Sequence, residues 1–211
     1  MKPVPYPTIQ RFPLYLEVIK QLQLAGIKTI SATDIAQNLG FTNIQVRKDI
    51  GYTGIIGKPK IGYNIKELEK VITSFLGWQN TNDAILVGVG ALGSALLGYK
   101  GFEDYGLNII SGFDVNKKIV GKKIHGKKIL HIDDFESQVK LLKVSIGILT
   151  VNQSSAQQIT DLMVKAGIKG IWNFSSENLK VPDDIVVQRE NLSASLALLS
   201  VKLSHKFKTK Q

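Results

Sequence analysis

Three glycines and one aspartate are the residues of this chain whose types and spacing point most directly to chemistry. The glycines lie in a motif that follows the apolar run 84–87 and reads Gly88-Val89-Gly90-Ala91-Leu92-Gly93. Gly88 permits a tight turn, Gly90 lets a pyrophosphate approach the backbone, and Gly93 allows a helix to pack closely on a strand. The N-terminus of that helix offers free N–H groups to phosphate oxygens. The motif therefore predicts a dinucleotide site, the alternative being a glycine-rich turn that binds nothing.

The aspartate ends the next apolar run, 107–113, and stands about 20 residues after the last glycine, where a ribose-binding carboxylate is expected. This residue is Asp114. The following segment, 117–128, contains six lysines and no acid, and it is interpreted as a solvated loop and hairpin. The alternative is contact with a 2′-phosphate, which would indicate NADP. Because Asp114 would repel that phosphate, NAD is the predicted nucleotide.

Alternating strands and helices after Asp114 predict an α/β fold with a parallel sheet. Strands are expected at 129–131, 144–151, 168–174 and 185–187, with helices at 133–142 and from a cap at Ser154 or Ser155 to 166. Ligands of open α/β sheets bind at the carboxyl ends of strands. We therefore expect Thr150, Val151, Asn152, Asn173 and Phe174 near the nucleotide, with Phe174 as a plain core aromatic the alternative.

The first 80 residues have the pattern of a small helical domain. A helix is predicted over 11–25 with Pro13 in its first turn, where proline is tolerated. Two capping boxes, at Ser31 and Thr42, open short helices separated by a turn that contains Gly40, which indicates a helix-turn-helix. The segment 52–63 is predicted to be a β-hairpin wing, 64–76 a further helix, and 77–83 a linker.

The second helix of the helix-turn-helix carries amide and basic side chains suited to a DNA major groove. A solvated helix face is the alternative. The wing tip is expected to enter a minor groove or to lie along phosphates. The residues predicted to contact DNA are Asn43, Gln45, Arg47, Lys48, Tyr52, Lys58, Lys60 and Arg11.

Composition limits the remaining possibilities. The 211 residues suffice for two domains, and the formal net charge of +10 suits a polyanionic partner. The absence of cysteine excludes disulfides and thiolate metal sites. Neither a signal peptide nor an apolar run long enough for a membrane span is present in the sequence, so a cytoplasmic location and no membrane contact are expected.

An enzyme would need an acid or base near the nicotinamide. The three histidines, at 125, 131 and 205, stand in no catalytic order, and no metal-ligand cluster stands out, so neither catalytic nor metal-binding residues are predicted. A small NAD-dependent oxidoreductase remains the alternative function. A nucleotide-binding regulator without DNA contact or with an altered redox response is another.

Several phrases, in this order, carry a resemblance to a known family: Gln45-Val-Arg-Lys-Asp49, a glycine-rich wing ending in Gly62-Tyr63, the glycine motif, Gly98-Tyr-Lys-Gly-Phe102, Phe113-Asp114, Ile148-Leu-Thr-Val151, Ala166-Gly-Ile-Lys-Gly170 and Trp172-Asn-Phe174. The chain resembles the Rex family of redox-sensing transcriptional repressors. The resemblance implies a winged helix-turn-helix domain over 1–77, a Rossmann domain over 78–190 and a C-terminal helix over 191–211. Tyr99, within one of these phrases, joins the expected cofactor-binding residues.

The resemblance also implies a homodimer that binds an inverted-repeat operator in double-stranded DNA. NADH would favour a closed dimer that cannot hold DNA, whereas NAD would be compatible with DNA. The C-terminal helix, with an apolar stripe at Leu192, Leu196, Leu199, Leu203 and Phe207, would be exchanged between subunits, the alternative being a helix docked on its own sheet. Its last residues, 206–210, are expected to be a solvated tail.

Five positions depart from the family pattern, among them Thr53, where an aromatic is usual, and Gly51, where a serine is usual. Asn191 replaces a usual aspartate of a charge network that couples nucleotide and DNA domain. Asn152 replaces a usual proline, and Ile56 replaces a usual aromatic of the wing. These changes bear on effector response and operator preference rather than on the fold.

Overall fold

The structure is a computed structural model, and it describes residues 3–79 and 82–208. The chain divides into two compact units, Met1–Asn80 and Thr81–Gln211. Asn80 and Thr81 of the predicted linker lie outside the described part, as do residues 209–211 and the side chains of Leu192 and Phe207 from the predicted apolar stripe.

The N-terminal unit packs four helices around one core, with a two-stranded antiparallel sheet beside them. Phe12, Tyr15, Ile35, Val46 and Leu68 are all fully buried in this core. The elements are α1 (Tyr6–Leu24), β1 (Thr29–Ile30), α2 (Ala32–Leu39), α3 (Asn43–Gly51), β2 (Tyr63–Asn64) and α4 (Ile65–Phe75).

Helix α1 begins earlier than the sequence predicts. It starts at Tyr6, so Pro13 lies inside the helix and not in its first turn, and that prediction was wrong. Pro7 occupies the first turn, where its missing N–H costs nothing. Phe12, Tyr15 and Ile19 pack into the core from this helix, and that packing outweighs the hydrogen bond lost at Pro13.

The wing is shorter than the predicted hairpin. Helical turns continue beyond α3 to Gly54, whose N–H donates to the carbonyl of Gly51 at 3.2 Å. Only Lys58 and Gly62 pair across the loop, and Tyr63 pairs instead with Ile30 of β1. A side chain at Gly62 would meet the Ile30 carbonyl oxygen at 2.3 Å, so this close approach requires glycine.

The C-terminal unit is a seven-stranded sheet in the order β5-β6-β4-β3-β7-β8-β9, parallel except for the β5–β6 pair. Two short 3₁₀ helices, Lys100–Tyr105 and Ile132–Asp134, lie between its elements. The elements are β3 (Asn82–Val87), α5 (Ala91–Gly98), β4 (Leu107–Asp114), β5 (Lys123–Ile124), β6 (Lys127–His131), α6 (Phe135–Leu142), β7 (Ile146–Leu149), α7 (Gln153–Ala166), β8 (Gly170–Asn173), β9 (Val186–Arg189) and α8 (Leu192–Lys208).

The strand order reverses beside β3. The chain passes from β3 to β4 and β6 on one side, and then returns to β7 on the other. A reversal of this kind opens a crevice outside the carboxyl ends of the two strands that flank it. These ends are Val87, followed by the glycine motif, and Leu149, followed by Thr150.

Helix α8 does not bury its apolar stripe within one chain. All side chains described from Ser193 to His205 are exposed, with Leu196 at 64% and Leu199 at 54%. The alternative of a helix docked on its own sheet therefore does not hold within a single chain. No described helix has the length and apolar character needed to cross a membrane.

Candidate DNA-binding and nucleotide-binding sites

The helix predicted to enter a DNA major groove is α3. The Thr42 hydroxyl caps it by accepting the N–H of Gln45 at 3.2 Å, and Gly40 ends α2 in the left-handed region. The Asn43 side chain donates to the Thr33 hydroxyl of α2 at 2.8 Å. This contact crosses the helix-turn-helix and fixes the angle at which α3 leaves the turn.

A groove of about 560 Å³ separates α3 from the wing. Four of the predicted DNA-contacting residues lie along it: Asn43, Arg47, Lys58 and Lys60. Lys60 stands at the tip with a positive φ of 62°, and Lys58 pairs with Gly62 at the base. The groove thus joins polar and cationic side chains from two elements on one open surface.

The other four predicted residues are not among the described residues that line this groove. Lys48 is exposed on α3, while Gln45 and Tyr52 are half-buried at its two ends. Arg11 lies behind the helix, where its Nε donates to Asp49 at 2.6 Å and one Nη at 2.8 Å. The structure therefore gives Arg11 a contact that positions α3, which sequence reasoning missed because the pair is 38 residues apart.

Asp49 is the centre of a buried polar network and is only 2% exposed. It also accepts hydrogen bonds from the hydroxyls of Tyr15 at 2.6 Å and Thr8 at 2.9 Å. Burial alone would raise the pKa of Asp49, but the hydrogen bonds from Arg11, Tyr15 and Thr8 outweigh burial and lower it. Burial and the same carboxylate raise the pKa of Tyr15, so the phenol stays protonated.

The second site is the crevice of the C-terminal unit, with a volume of about 600 Å³. It brings together six predicted residues: Gly88, Gly90, Asp114, Thr150, Val151 and Asn152. They come from the glycine turn after β3, the end of β4 and the end of β7. Residues predicted from the glycine motif, from the spacing of the aspartate and from a strand end are thus gathered at one edge of the sheet.

The glycines differ in what the fold requires of them. Gly88 has a φ of 97°, and a side chain there would meet Val151 at 2.8 Å. A side chain at Gly93 would lie 2.1 Å from the Gly88 carbonyl oxygen. At Gly90, by contrast, a Cβ would meet nothing within 4 Å. The protein itself leaves this space open, which suits a ligand that approaches the backbone.

Asp114 and Thr150 hold the glycine turn in place. Asp114 accepts the N–H of Val89 at 2.7 Å and that of Asn116 at 2.8 Å. The Thr150 hydroxyl lies 2.7 Å from the Gly88 carbonyl oxygen and donates toward it. Each Asp114 oxygen has one of these partners and keeps a lone pair for a further hydrogen bond.

Helix α7 starts at the crevice with a different cap from the predicted one. Asn152 is the N-cap, and its side-chain oxygen accepts the N–H of Ser155 at 3.1 Å. The prediction that Ser154 or Ser155 caps this helix was therefore wrong, because the chain turns into the helix one residue after Val151. The family departure at Asn152 thus carries a structural role.

Two acids that sequence reasoning missed, Asp133 and Glu136, also line the crevice. Both follow β6, so the strand-end rule that selected Thr150 could have found them. Hydrogen bonds from Lys140 and Lys165 lower the pKa of Glu136, which therefore stays negative. Asp114 and Asp133 thus place carboxylates on this wall, whereas the charge of Glu136 is neutralised by its ion pairs with Lys140 and Lys165.

The remaining predicted cofactor-binding residues are not among the described residues that line this crevice. Val89 is buried, while Ala91 and Leu92 are exposed in the first turn of α5. Asn173 is 1% exposed, and its side chain bonds to the Ser175 N–H at 2.8 Å and the Glu177 carbonyl at 3.1 Å. Local hydrogen bonds therefore occupy the polar atoms of that side chain.

Tyr99 and Phe174 are the two ends of a row of four aromatic rings. Tyr99 lies 4.8 Å from Phe102, Phe102 lies 5.5 Å from Trp172, and Trp172 lies 4.9 Å from Phe174. Tyr99 borders a separate cavity with His125 and Lys127, not the glycine crevice. Phe174 packs against the core, in agreement with the alternative of a core aromatic.

Within the described residues, no group of three or more histidine, aspartate or glutamate side chains could hold a metal ion. His131 pairs with the neighbouring Asp133 at 3.0 Å, and the His125 ring lies against Gly98.

Comparison with known proteins shows relatives over nearly the whole chain. The redox-sensing transcriptional repressor Rex of Treponema denticola is 44% identical over 95% of this chain and 95% of its own. That of Bacteroides fragilis is 42% identical over 95% and 91%. This chain belongs to the Rex family.

Family models and solved structures agree with this assignment. Residues 3–50 match a putative DNA-binding protein N-terminus, and residues 79–177 match a CoA binding domain. A crystal structure of RSP in complex with β-NAD⁺ and operator DNA has a TM-score of 0.90 and 35% identity, covering 100% of this chain and 97% of RSP. RSP in complex with β-NADH has a TM-score of 0.88 and 34% identity, with both chains fully covered.

Proposed function

We propose that this protein is a cytoplasmic transcriptional repressor that binds an inverted-repeat operator as a homodimer and releases it when NADH binds. The observation that carries the proposal is the presence of two binding surfaces in one Rex-family chain. One is the cationic groove beside α3, and the other is the crevice between the glycine turn and Asn152. NADH and NAD act here as effectors, and the protein is not an enzyme.

In the N-terminal part, residues 1–77, the groove and the outer face of α3 hold DNA. Arg47 and Lys48 contact phosphates or a guanine edge, and Lys58 and Lys60 hold the backbone at the wing. Arg11 and Asp49 support α3 from behind, so Arg11 acts more by positioning α3 than by contacting DNA.

In the nucleotide-binding part, residues 78–190, the glycine turn holds the pyrophosphate and Asp114 the adenine ribose. The open space at Gly90 supports this placement, as do the free lone pairs of Asp114. The carboxylates of Asp114 and Asp133 favour NAD over NADP, since a 2′-phosphate would be repelled.

The C-terminal helix, residues 191–211, is exchanged with a second copy of the chain. Its exposed leucines form a patch that a soluble monomer would leave in water. The Asn191 side chain caps α8 by accepting the N–H of Ala194 at 3.0 Å. Asparagine therefore keeps the capping function and lacks the charge of aspartate, which alters the strength of the switch.

The helix exchange is tested with the double variant Leu199→Gln/Leu203→Gln, which makes the stripe polar. Sedimentation equilibrium should show a shift from dimer to monomer, while Lys202→Gln on the same helix leaves the dimer intact. A double variant that remains as dimeric as the wild type would contradict the exchange.

The two binding activities are tested separately on the wild-type protein. Calorimetry with NADH and NAD should show saturable binding, and anisotropy with a labelled inverted-repeat duplex should show sequence-selective, salt-dependent affinity. NADH should remain unoxidised when small carbonyl compounds are added. Turnover of NADH without DNA affinity would favour an oxidoreductase.

A further inference from the structure

Ile44 is a large apolar residue on a helix surface, and it is unusual because its side chain is 81% exposed. It lies in the first turn of α3, whose core-facing residues are Val46, Asp49 and Ile50. At 100° per residue, Ile44 points almost directly away from these three positions. No described residue of the N-terminal unit covers it.

The neighbours of Ile44 on this outer face are cations. Arg47 and Lys48 stand three and four residues further on, so their side chains flank Ile44 on the helix surface. Both are exposed. A partner for this face must therefore be negatively charged and must also offer an apolar group between its charges.

The major groove of DNA has both properties. Phosphates border the groove, and the C5-methyl of thymine is the apolar group that projects into it. The first turn of a recognition helix is the part that reaches base edges. We propose that Ile44 reads a thymine methyl group and is a determinant of operator sequence, an inference that rests on the proposed DNA binding.

The proposal separates Ile44 from the basic residues beside it. Arg47 and Lys48 supply affinity through charge, which depends on salt and not on a methyl group. Ile44 supplies discrimination between thymine and bases without that methyl. Its contribution should therefore disappear when the methyl group alone is removed from the DNA.

Deoxyuridine provides that test, since it pairs like thymidine and lacks only the methyl group. The probe is a duplex that the full-length wild-type protein selects from a randomised pool, with each thymine replaced in turn by deoxyuridine. Anisotropy is measured for the wild type, for Ile44→Ala and for Leu24→Ala. Leu24 is the control because it is 85% exposed at the far end of α1, outside the helix-turn-helix.

Replacing one particular thymine of each half-site by deoxyuridine should lower the affinity of the wild type about fourfold per half-site. This factor corresponds to one buried methyl group at about 0.8 kcal/mol. Ile44→Ala should bind the thymine duplex as weakly as the wild type binds the deoxyuridine duplex, and should be indifferent to this replacement. Leu24→Ala should behave as the wild type does. Thermal unfolding should be the same for all three proteins.

If every deoxyuridine replacement lowers the DNA affinity of Ile44→Ala and of the wild type equally, the assignment of Ile44 is overturned. The proposed DNA binding would still stand. Unchanged affinity of Ile44→Ala for the thymine duplex would overturn the assignment as well. A wild-type protein that selects no duplex would overturn the proposed function together with this inference.

Discussion

Arg11 and Asp49 form a two-pronged ion pair, with Nε at 2.6 Å and one Nη at 2.8 Å from the two carboxylate oxygens. The pair joins α1 to the inner face of α3, so the helix that carries Arg47 and Lys48 is anchored from behind. Charged hydrogen bonds of this geometry fix orientation as well as distance. The direction in which α3 presents its outer face therefore depends on a contact that DNA does not touch.

Replacing Asp49 with alanine should unfold the N-terminal unit more easily. Arg11 and the Tyr15 hydroxyl would lose their acceptor in a buried place, and breaking a buried pair costs about 3–5 kcal/mol. Thermal denaturation followed by circular dichroism measures the loss. Asp184→Ala, which removes an exposed pair with Lys169, is the control and should change the melting temperature little. Equal effects of the two variants would contradict the buried network.

The same carboxylate makes stability depend on acid pH. Because the folded pKa of Asp49 lies below its ordinary value of 3.8, the unfolded chain takes up the proton first as pH falls. The stabilisation is complete above about pH 4–5 and is lost as pH falls toward the folded pKa. Asp49→Asn should flatten the stability curve in this acid range, as measured by urea unfolding at several pH values. An unchanged slope would show that the folded pKa is not lowered.

Replacing Arg47 with alanine should weaken DNA binding by about 1–3 kcal/mol and reduce the dependence of log K on log salt by about one. Arg47 borders the groove and has no role in the core, so NADH affinity should not change. Lys70→Ala, an exposed change on α4, controls for the loss of one positive charge. If Lys70→Ala lowers DNA affinity as much as Arg47→Ala does, the groove is not the DNA site.

Gly90→Ala and Gly93→Ala should separate binding from folding. Gly90 has an ordinary φ of −75° and open space around it, so alanine there should leave the melting temperature unchanged and lower NADH affinity. Alanine at Gly93 would collide with the Gly88 carbonyl oxygen and should destabilise the C-terminal unit. Calorimetric titration and thermal unfolding measure the two effects. Full NADH affinity in Gly90→Ala would place the pyrophosphate elsewhere.

Replacing Asp114 with alanine should reduce the preference for NADH over NADPH. A hydrogen bond to a charged group contributes about 1.5–3 kcal/mol, so NADH affinity should fall about tenfold or more. The affinity for NADPH should rise relative to that for NADH, because one charge that repels the 2′-phosphate is removed. Gly90→Ala is a useful comparison, since it should weaken both nucleotides equally. An unaltered ratio of the two affinities in Asp114→Ala would assign discrimination to Asp133.

Local signals predicted much of the fold. The capping box at Ser31, the N-cap at Thr42 and the glycine motif depend on residues a few positions apart, and the predicted α2, α3 and α5 lie where these signals begin. The crevice could also be predicted, because parallel strands end at one edge of a sheet.

Contacts between distant residues were beyond the sequence. The bond from Arg11 to Asp49 depends on how α1 packs against α3, and nothing near Arg11 in the chain signals it. The true start of α1 follows from core packing that outweighs Pro13. Asn173 was selected because it ends a strand, but its hydrogen bonds within 173–177 appear only when the loop closes. The exposure of the Ile44 side chain likewise becomes visible only in the folded helix.

The central claim is that the binding of NADH and the binding of operator DNA are coupled in this protein. The most direct measurement is the affinity of the wild-type protein for a labelled inverted-repeat duplex at saturating NADH, at saturating NAD and without nucleotide. The affinity for NADH is then measured with and without that duplex. We expect NADH, but not NAD, to weaken DNA binding. The same factor should appear as a loss of NADH affinity when DNA is bound, because linkage is reciprocal. DNA affinity that is identical with NADH, with NAD and with neither would contradict the account.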